Sequence, residues 1–105
     1  MADVVVVLTT IAEDAADELA RALVTERLAA CVNVLPAMRS TYRWKGSVEC
    51  ETERQIVIKT TRSRVRELET RLRALHSYEL PEFIVIHADA SDAYARWVAA
   101  ETGGS

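Results

Sequence analysis

The sequence predicts an α+β fold whose elements follow the order βαββαβα, and three observations lead to it. Two short apolar runs, Val4–Leu8 and Phe83–His87, are typical of buried strands. Two amphipathic segments of helical period lie between these runs. A long segment, Cys31–Thr61, alternates with the period of a strand and turns once at Gly46. Helices therefore alternate with strands, and the two central strands form a hairpin.

The first strand is predicted over Val4–Leu8, where consecutive β-branched residues indicate burial on both faces. Thr10 and Glu13 resemble a capping box, so a helix is expected from about Glu13 to Ala30. The stripe of this helix that faces the core consists of Ala16, Leu19, Ala20, Leu23, Val24 and Leu28.

The hairpin is long for a chain of 105 residues. Its first arm begins at Cys31 and continues through Trp44, but Pro36 interrupts it and marks an edge, a bulge or a bend. The second arm covers about Val48–Thr60. Arms of about 13–15 residues measure about 45–50 Å, whereas a domain of about 100 residues has a radius of gyration of about 13 Å. The hairpin is therefore expected to project beyond its own core or to bend sharply.

The second half of the chain supplies the remaining elements. A second helix is expected over Ser63–Leu75, with Val65, Leu68, Leu72 and Leu75 facing the core. After the strand at Phe83–His87, Asp89–Asp92 has the composition of a helix cap, and a short helix carries Tyr94, Trp97 and Val98. The tail Gly103–Ser105 is expected to fray.

This order is that of the split βαβ, ferredoxin-like sandwich, here with an extra C-terminal helix. One antiparallel sheet carries two helices on one face, and nothing in the predicted chain covers the other face. The aromatic side chains of Tyr42 and Trp44 on the hairpin also need cover. Both features predict that the protein self-associates.

Length and composition set further expectations. The chain is long enough for one domain, residues 1–105, and its net charge of −3 argues against an obligatory polyanionic partner. Cys31 and Cys50 are too few for a disulfide framework, and we expect them to be reduced packing residues. The start of the sequence lacks the features of a signal peptide, and no apolar stretch is long enough to span a bilayer. A cytoplasmic protein without a membrane partner is therefore expected.

Two functional classes are disfavoured by the motifs that are present. The RNA recognition motif shares the βαββαβ order, but its third strand carries aromatic residues, whereas residues 53–59 read Glu-Arg-Gln-Ile-Val-Ile-Lys. Glu67 and Glu69 also dilute the positive charge of the arginine-rich second helix. No glycine-rich phosphate loop, nucleophile elbow or His-Glu-x-x-His pair occurs. We therefore expect neither a nucleic-acid partner nor an enzyme.

Several segments together resemble one family, the CutA family of divalent-cation tolerance proteins. They are Leu28–Asn33 with Pro36, Ser40-x-Tyr42-x-Trp44-x-Gly46, Glu53, Lys59-Thr60, His76-x-Tyr78-Glu79-x-Pro81-Glu82 and Tyr94-x-x-Trp97. The resemblance covers nearly the whole chain in order. It implies a ferredoxin-like homotrimer whose sheets pack around a threefold axis, related in architecture to PII signalling proteins, and a role in divalent metal tolerance.

The resemblance also bears on metal binding. Copper ligands proposed for some members, a cysteine and two adjacent histidines, match Thr9, Leu75 and His76 here, so only the histidine is retained. Independently, His76, Glu79 and Glu82 fall within seven residues and offer the ligand types of copper(II), zinc or manganese. The alternative is that His76 stabilises the end of the second helix while both glutamates meet arginines across an interface.

A second set of residues points to a cleft between subunits. The resemblance places Tyr42, Trp44, Glu53, Lys59, Tyr78 and Trp97 there. Tyr42 and Trp44 are then interface anchors or a platform for a ligand. Glu53 and Lys59 share a strand face, so Lys59 either forms an ordinary ion pair or holds a small anionic effector, as in a PII-like signalling module. A trimeric scaffold for another protein is the third alternative.

Overall fold

The predicted α+β architecture is confirmed in a computed structural model, which describes residues 2–103. The expected fraying of Gly104 and Ser105 lies outside the described residues. The strands are β1 (Ala2–Ala12), β2 (Cys31–Val34), β3 (Met38–Trp44), β4 (Ser47–Thr60) and β5 (Ile84–Ala90). The helices are α1 (Ala16–Thr25), α2 (Val65–Leu75) and α3 (Asp92–Glu101), and single turns of 3-10 helix precede α1 and α2.

The strands form one antiparallel sheet in which β1 is central. β1 pairs with β4 on one side and with β5 on the other, and β4 pairs along its far edge first with β3 and then with β2. Counted together, β2 and β3 are the first arm of the predicted hairpin, so the strand order is that of the ferredoxin-like fold. Five strands replace the expected four because the chain leaves the ladder around Pro36.

A bulge at this break decides which side chains share a face. Val34 pairs with Ile56 and Met38 with Glu53, so three residues on one strand oppose two on the other. In β2 the odd-numbered residues lie on the same face as the odd-numbered residues of β4. Beyond the extra residue, the even-numbered residues of β3 lie on that face instead.

The distal part of the hairpin projects from the rest of the molecule, as the strand lengths predict. Its two-residue turn has positive φ at Lys45 (49°) and Gly46 (83°), which is the type I′ geometry that matches the twist of the strands. The first six residues of β4, from Ser47 to Thr52, are all exposed. The long axis of the chain measures 46 Å, and the radius of gyration is 14.4 Å.

The main core lies between the sheet and the first two helices. Val5, Val7 and Ile11 of β1 and Ile56 and Ile58 of β4 are at most 1% exposed, and α1 and α2 pack over them through Leu19, Leu23, Leu68 and Leu72. The stripe of α2 is confirmed except for Leu75, which is 38% exposed.

The first helix differs from the prediction at both ends. Thr10 belongs to β1, and the helical segment begins after Ala12 without a side-chain cap, so the capping-box prediction was wrong. α1 ends at Thr25 rather than near Ala30, because Arg27 takes a positive φ of 59° and turns the chain back toward the core. Leu28 is buried as expected, but in the loop that follows, and Val24 is 43% exposed.

The other face of the sheet, called here the open face, is largely uncovered, as predicted. Cross-strand pairing places Val6, Leu8, Val57, Ile84 and Ile86 side by side on it. Ile84 is 47% exposed and Ile86 43%. α3 covers only one end, where Ala95 and Val98 pack on Val4. None of the helices in residues 2–103 is both long and apolar enough to cross a membrane.

Candidate functional site

A wide concavity, called here the acidic pocket, lies between the hairpin and the segment that connects α2 to β5. Its volume is about 740 Å³. β3 contributes Tyr42 and Trp44, β4 contributes Glu51 and Glu53, and the connecting segment contributes Tyr78–Glu82. The bulge before β3 places the two aromatic residues on the same face as the glutamates of β4. The pocket is therefore a continuation of the open face, with four carboxylates and three aromatic rings in its wall.

The most buried charge of the pocket is the carboxylate of Glu53. Its residue is 5% exposed, and Oε2 accepts a hydrogen bond of 3.0 Å from the hydroxyl of Tyr78. Burial raises the pKa of Tyr78 well above its ordinary value, and the hydrogen bond to Glu53 and the charge of that carboxylate raise it further. The phenol is therefore neutral and acts as a donor that stabilises a buried anion.

A second phenol and carboxylate stand beside the first pair. Removal from water raises the pKa of Tyr42, and its hydrogen bond with Glu51 and the charges of the nearby glutamates act in the same direction. Both tyrosines thus remain neutral donors at any physiological pH. The wall of the pocket therefore carries negative charge, which hydrogen bonds from neutral tyrosine hydroxyls stabilise.

His76 is held in the structure by both of its ring nitrogens. Nδ1 accepts the backbone N–H of Tyr78 at 3.1 Å, and Nε2 lies 2.6 Å from the carbonyl oxygen of Thr10. A carbonyl only accepts and an N–H only donates, so the ring is neutral with its proton on Nε2. The residue is 8% exposed. His76 therefore joins the end of α2 to β1 and fixes the start of the segment that lines the pocket.

The three residues of the predicted metal site do not converge in one chain. Glu79 is exposed and contacts Lys45 of the hairpin turn at 3.2 Å. Glu82 accepts a hydrogen bond of 3.0 Å from Gln55, which also donates to the carbonyl oxygen of Thr9 at 2.8 Å. No group of three histidine, cysteine or acidic side chains in residues 2–103 is placed to hold a metal ion.

In a single chain, four of the six predicted cleft residues lie together, and the other two, Lys59 and Trp97, lie elsewhere. Tyr42, Trp44, Glu53 and Tyr78 line the acidic pocket, whereas the Lys59 ammonium donates to the side-chain oxygen of Asn33. Lys59 and Glu53 share a face as predicted, but six residues of strand separate them by about 20 Å. They form no direct ion pair within the chain. Trp97 lies on α3 and is 43% exposed, with its ring 5.6 Å from the tilted ring of Tyr94.

Glu51 and Gln55 are polar members of the pocket that sequence reasoning missed. Glu51 lies two residues before Glu53 on the same strand face, and this spacing was a usable signal. Gln55 has no comparable signal, because its role depends on the distant Glu82. Both cysteines are free, as expected, but Cys50 is exposed and does not pack in the core of the chain.

Comparison with known proteins gives the family. The family model described as "CutA1 divalent ion tolerance protein" matches residues 4–101. The chain belongs to the CutA family. The "Divalent-cation tolerance protein CutA" of Thermus thermophilus is 41% identical over 100 residues, which cover 94% of this chain and 97% of that protein. The protein of the same name from Pectobacterium atrosepticum is also 41% identical over 100 residues, covering 93% and 91%.

Solved CutA structures share the fold. The crystal structure of CutA from Xylella fastidiosa is 42% identical, has a TM-score of 0.91 and covers 96% of this chain, while this chain covers 99% of it. In this CutA chain, two of the three positions that match proposed copper ligands, Thr9 and Leu75, carry neither a thiol nor an imidazole. Thr9 is fully buried in the main core, Leu75 is 38% exposed, and the His76 ring is engaged by hydrogen bonds.

Proposed function

We propose that this chain functions in the tolerance of divalent cations as a cytoplasmic, non-enzymatic homotrimer. The observation that supports self-association is the apolar open face. On it, Ile84 and Ile86 are nearly half exposed, and they lie beside Val6, Leu8 and Val57. Burial of such a surface contributes about 25 cal/mol per Å². An uncovered sheet face of this composition therefore favours association of identical chains.

The assembly is tested by measuring mass in solution. Sedimentation velocity and light scattering should give three times the chain mass of 11.7 kDa. Ile86→Glu places a charge on the open face and should shift the mass toward that of one chain. Arg66→Glu, on the exposed surface of α2, is the matched control and should leave it unchanged. A folded wild-type protein that stays a monomer at micromolar concentration would contradict the proposal.

The acidic pocket supports a cationic ligand. Four carboxylates line it, and the one lysine that approaches them in residues 2–103 is Lys45, which contacts Glu79. We propose that a divalent cation, copper or zinc, binds at the mouth of the pocket through Glu79 and Glu82. His76 would join them only by giving up a hydrogen bond to Thr10 or Tyr78.

Calorimetric titration of metal-free protein with copper(II) and with zinc tests this site. Replacement of both carboxylates, Glu79→Gln with Glu82→Gln, should lower the affinity at least about tenfold, whereas Glu18→Gln on the exposed side of α1 should not. His76→Ala then shows whether the imidazole takes part. Equal binding by the wild type and the double variant would remove the proposed ligands.

The PII-like alternative has less support in the geometry. Lys59 lies about 20 Å along the strand from Glu53, so a small anion bound by Lys59 would lie outside the acidic pocket. An anion inside the pocket would be repelled by its carboxylates. In a thermal-shift screen, an anionic metabolite that raises the melting temperature would favour this alternative, and a divalent cation that raises it would favour the proposed function. A scaffold role predicts neither response.

A further inference from the structure

The distal hairpin, β3 with the facing part of β4, carries opposite charges on its two sides. Its acidic face is the side that continues the open face, and it bears Ser40, Tyr42, Trp44, Glu49, Glu51 and Glu53. Its basic face is the opposite side, and it bears Arg39, Thr41, Arg43, Val48, Cys50 and Thr52. Strand alternation after the bulge therefore puts three carboxylates on one side and two guanidinium groups on the other.

Within the part of the chain that the structure describes, the arginines of the basic face have no partner. Arg39 and Arg43 are exposed, and neither forms a hydrogen bond or an ion pair with any residue from 2 to 103. By contrast, Arg54, the next arginine along β4, contacts Glu13 at 3.5 Å, and Arg71 of α2 contacts Glu26 at 2.8 Å. The two hairpin arginines are thus available to a second molecule.

The carboxylates of the acidic face likewise have no cationic partner among the described residues. Glu49 is exposed and unpaired within residues 2–103, and Glu51 shares a hydrogen bond with the neutral phenol of Tyr42. Glu53 is bonded to the neutral phenol of Tyr78. Arg39 and Arg43 are four residues apart, about 13 Å on a strand, and the three glutamates span the same length. The two faces are therefore complementary in both charge and spacing.

We propose that the basic face of one copy docks on the acidic face of a second copy, so that Arg39 and Arg43 pair with Glu49 and Glu51 on the hairpin side of the neighbour's acidic pocket and leave Glu79 and Glu82 to the proposed cation. This inference rests on the proposed self-association and names a contact within it. Val48, 66% exposed on the basic face, would then be covered by the aromatic wall of Tyr42 and Trp44.

The proposed contact joins two different surfaces, and such a contact is compatible with a closed ring of identical chains. Each chain contacts one neighbour through its basic face and the other neighbour through its acidic face, so the interface is heterologous. A heterologous interface forms a ring when its rotation closes and an open filament when it does not, and the proposed trimer requires a rotation of about 120° between neighbours. Charge complementarity also fixes orientation, because a hairpin docked with its acidic face inward would oppose like charges.

Charge reversal of whole faces tests the contact without assuming which pairs form. One variant carries Arg39→Glu with Arg43→Glu, a second carries Glu49→Arg with Glu51→Arg, and a third carries all four changes. Each half-reversed variant opposes like charges and should raise the dissociation constant of the trimer about tenfold or more. The variant with all four changes restores opposite charges, and its trimer dissociation constant should return to within about threefold of the wild-type value.

The control is Arg21→Glu with Arg66→Glu, which makes the same change in net charge as the double arginine reversal but on exposed surfaces of α1 and α2. Sedimentation velocity over a dilution series gives the dissociation constants, and circular dichroism verifies the fold. Suppose that the wild type is trimeric while a half-reversed variant has the same dissociation constant as the control, or while the variant with all four changes stays weakened. Either result would show that the hairpin contact is wrong, although the proposed trimer would stand. A monomeric wild type would overturn both proposals.

Discussion

The hydroxyl of Tyr78 donates a hydrogen bond to the buried carboxylate of Glu53 across 3.0 Å. Glu53 is on the hairpin, and Tyr78 is on the segment after α2, so the bond joins two parts of the chain that are 25 residues apart. Through His76, which accepts the Tyr78 N–H and lies against Thr10 of β1, the same segment is tied to the centre of the sheet. The pocket wall is therefore positioned by three elements at once.

The Tyr78 phenol should ionise later than an ordinary tyrosine. Its pKa is raised in the folded state, so the folded protein retains a proton that the unfolded chain loses near pH 10. Stability from this group is complete below about pH 10 and falls as the pH rises beyond it. Absorbance titration at about 295 nm should show a late phenol that Tyr78→Phe removes. Glu53→Gln should move that titration to lower pH, and an unchanged curve in both variants would contradict this assignment.

His76 should stabilise the fold more than it serves as a ligand. His76→Ala leaves the Thr10 carbonyl and the Tyr78 N–H without their partner and should lower the free energy of unfolding by about 1–3 kcal/mol. His87→Ala is the control, because His87 is exposed and its ring contacts the exposed Arg62 at 3.3 Å. Urea unfolding at fixed protein concentration measures the difference. Equal losses of unfolding free energy in the two variants would show that the hydrogen bonds of His76 do not stabilise the fold.

Thr9→Val should stabilise the protein. The hydroxyl of Thr9 is fully buried and has no hydrogen-bond partner within residues 2–103, so a methyl group of similar shape removes a desolvation cost. The expected gain is about 1 kcal/mol.

Thr60→Val is the matched comparison for Thr9→Val. Thr60 is equally buried, but its hydroxyl donates to the carbonyl oxygen of Leu28 at 2.8 Å. This variant should lose about 1 kcal/mol or more because the carbonyl is left unpaired. The same sign for both substitutions in urea unfolding would count against the hydrogen-bond explanation.

Gly46→Ala should weaken the hairpin. Gly46 has a φ of 83°, in the left-handed region where a Cβ costs about 1–2 kcal/mol. No atom lies within 4 Å of the position that the new Cβ would take, so the loss comes from backbone strain alone. Hydrogen exchange of the Trp44 and Ser47 amides should become faster, while Ser47→Ala should leave it nearly unchanged. Protection equal to that of the wild type would show that the turn tolerates the strain.

Much of the fold could be predicted because its signals are local. The β-branched run of β1, the stripe of α2 and the Ser91 cap, whose hydroxyl accepts the N–H of Tyr94 at 3.2 Å, each depend on neighbours in sequence. The end of α1 was missed because the turn at Arg27 is set by burial of Leu28 and Ala29 under the sheet. The site was harder, since His76 and Glu82 find partners at Thr10 and Gln55.

By itself, the sequence determined the order of elements, the long hairpin and the apolar open face, because periodicity encodes which residues must leave water. The tertiary structure alone decided the bulge between Val34 and Met38, and with it the side on which each hairpin residue lies. One extra residue in a ladder exchanges the two faces of a strand, and a proline signals a break without giving its register. That register places Tyr42 and Trp44, rather than Arg39 and Arg43, on the same face as Glu51 and Glu53.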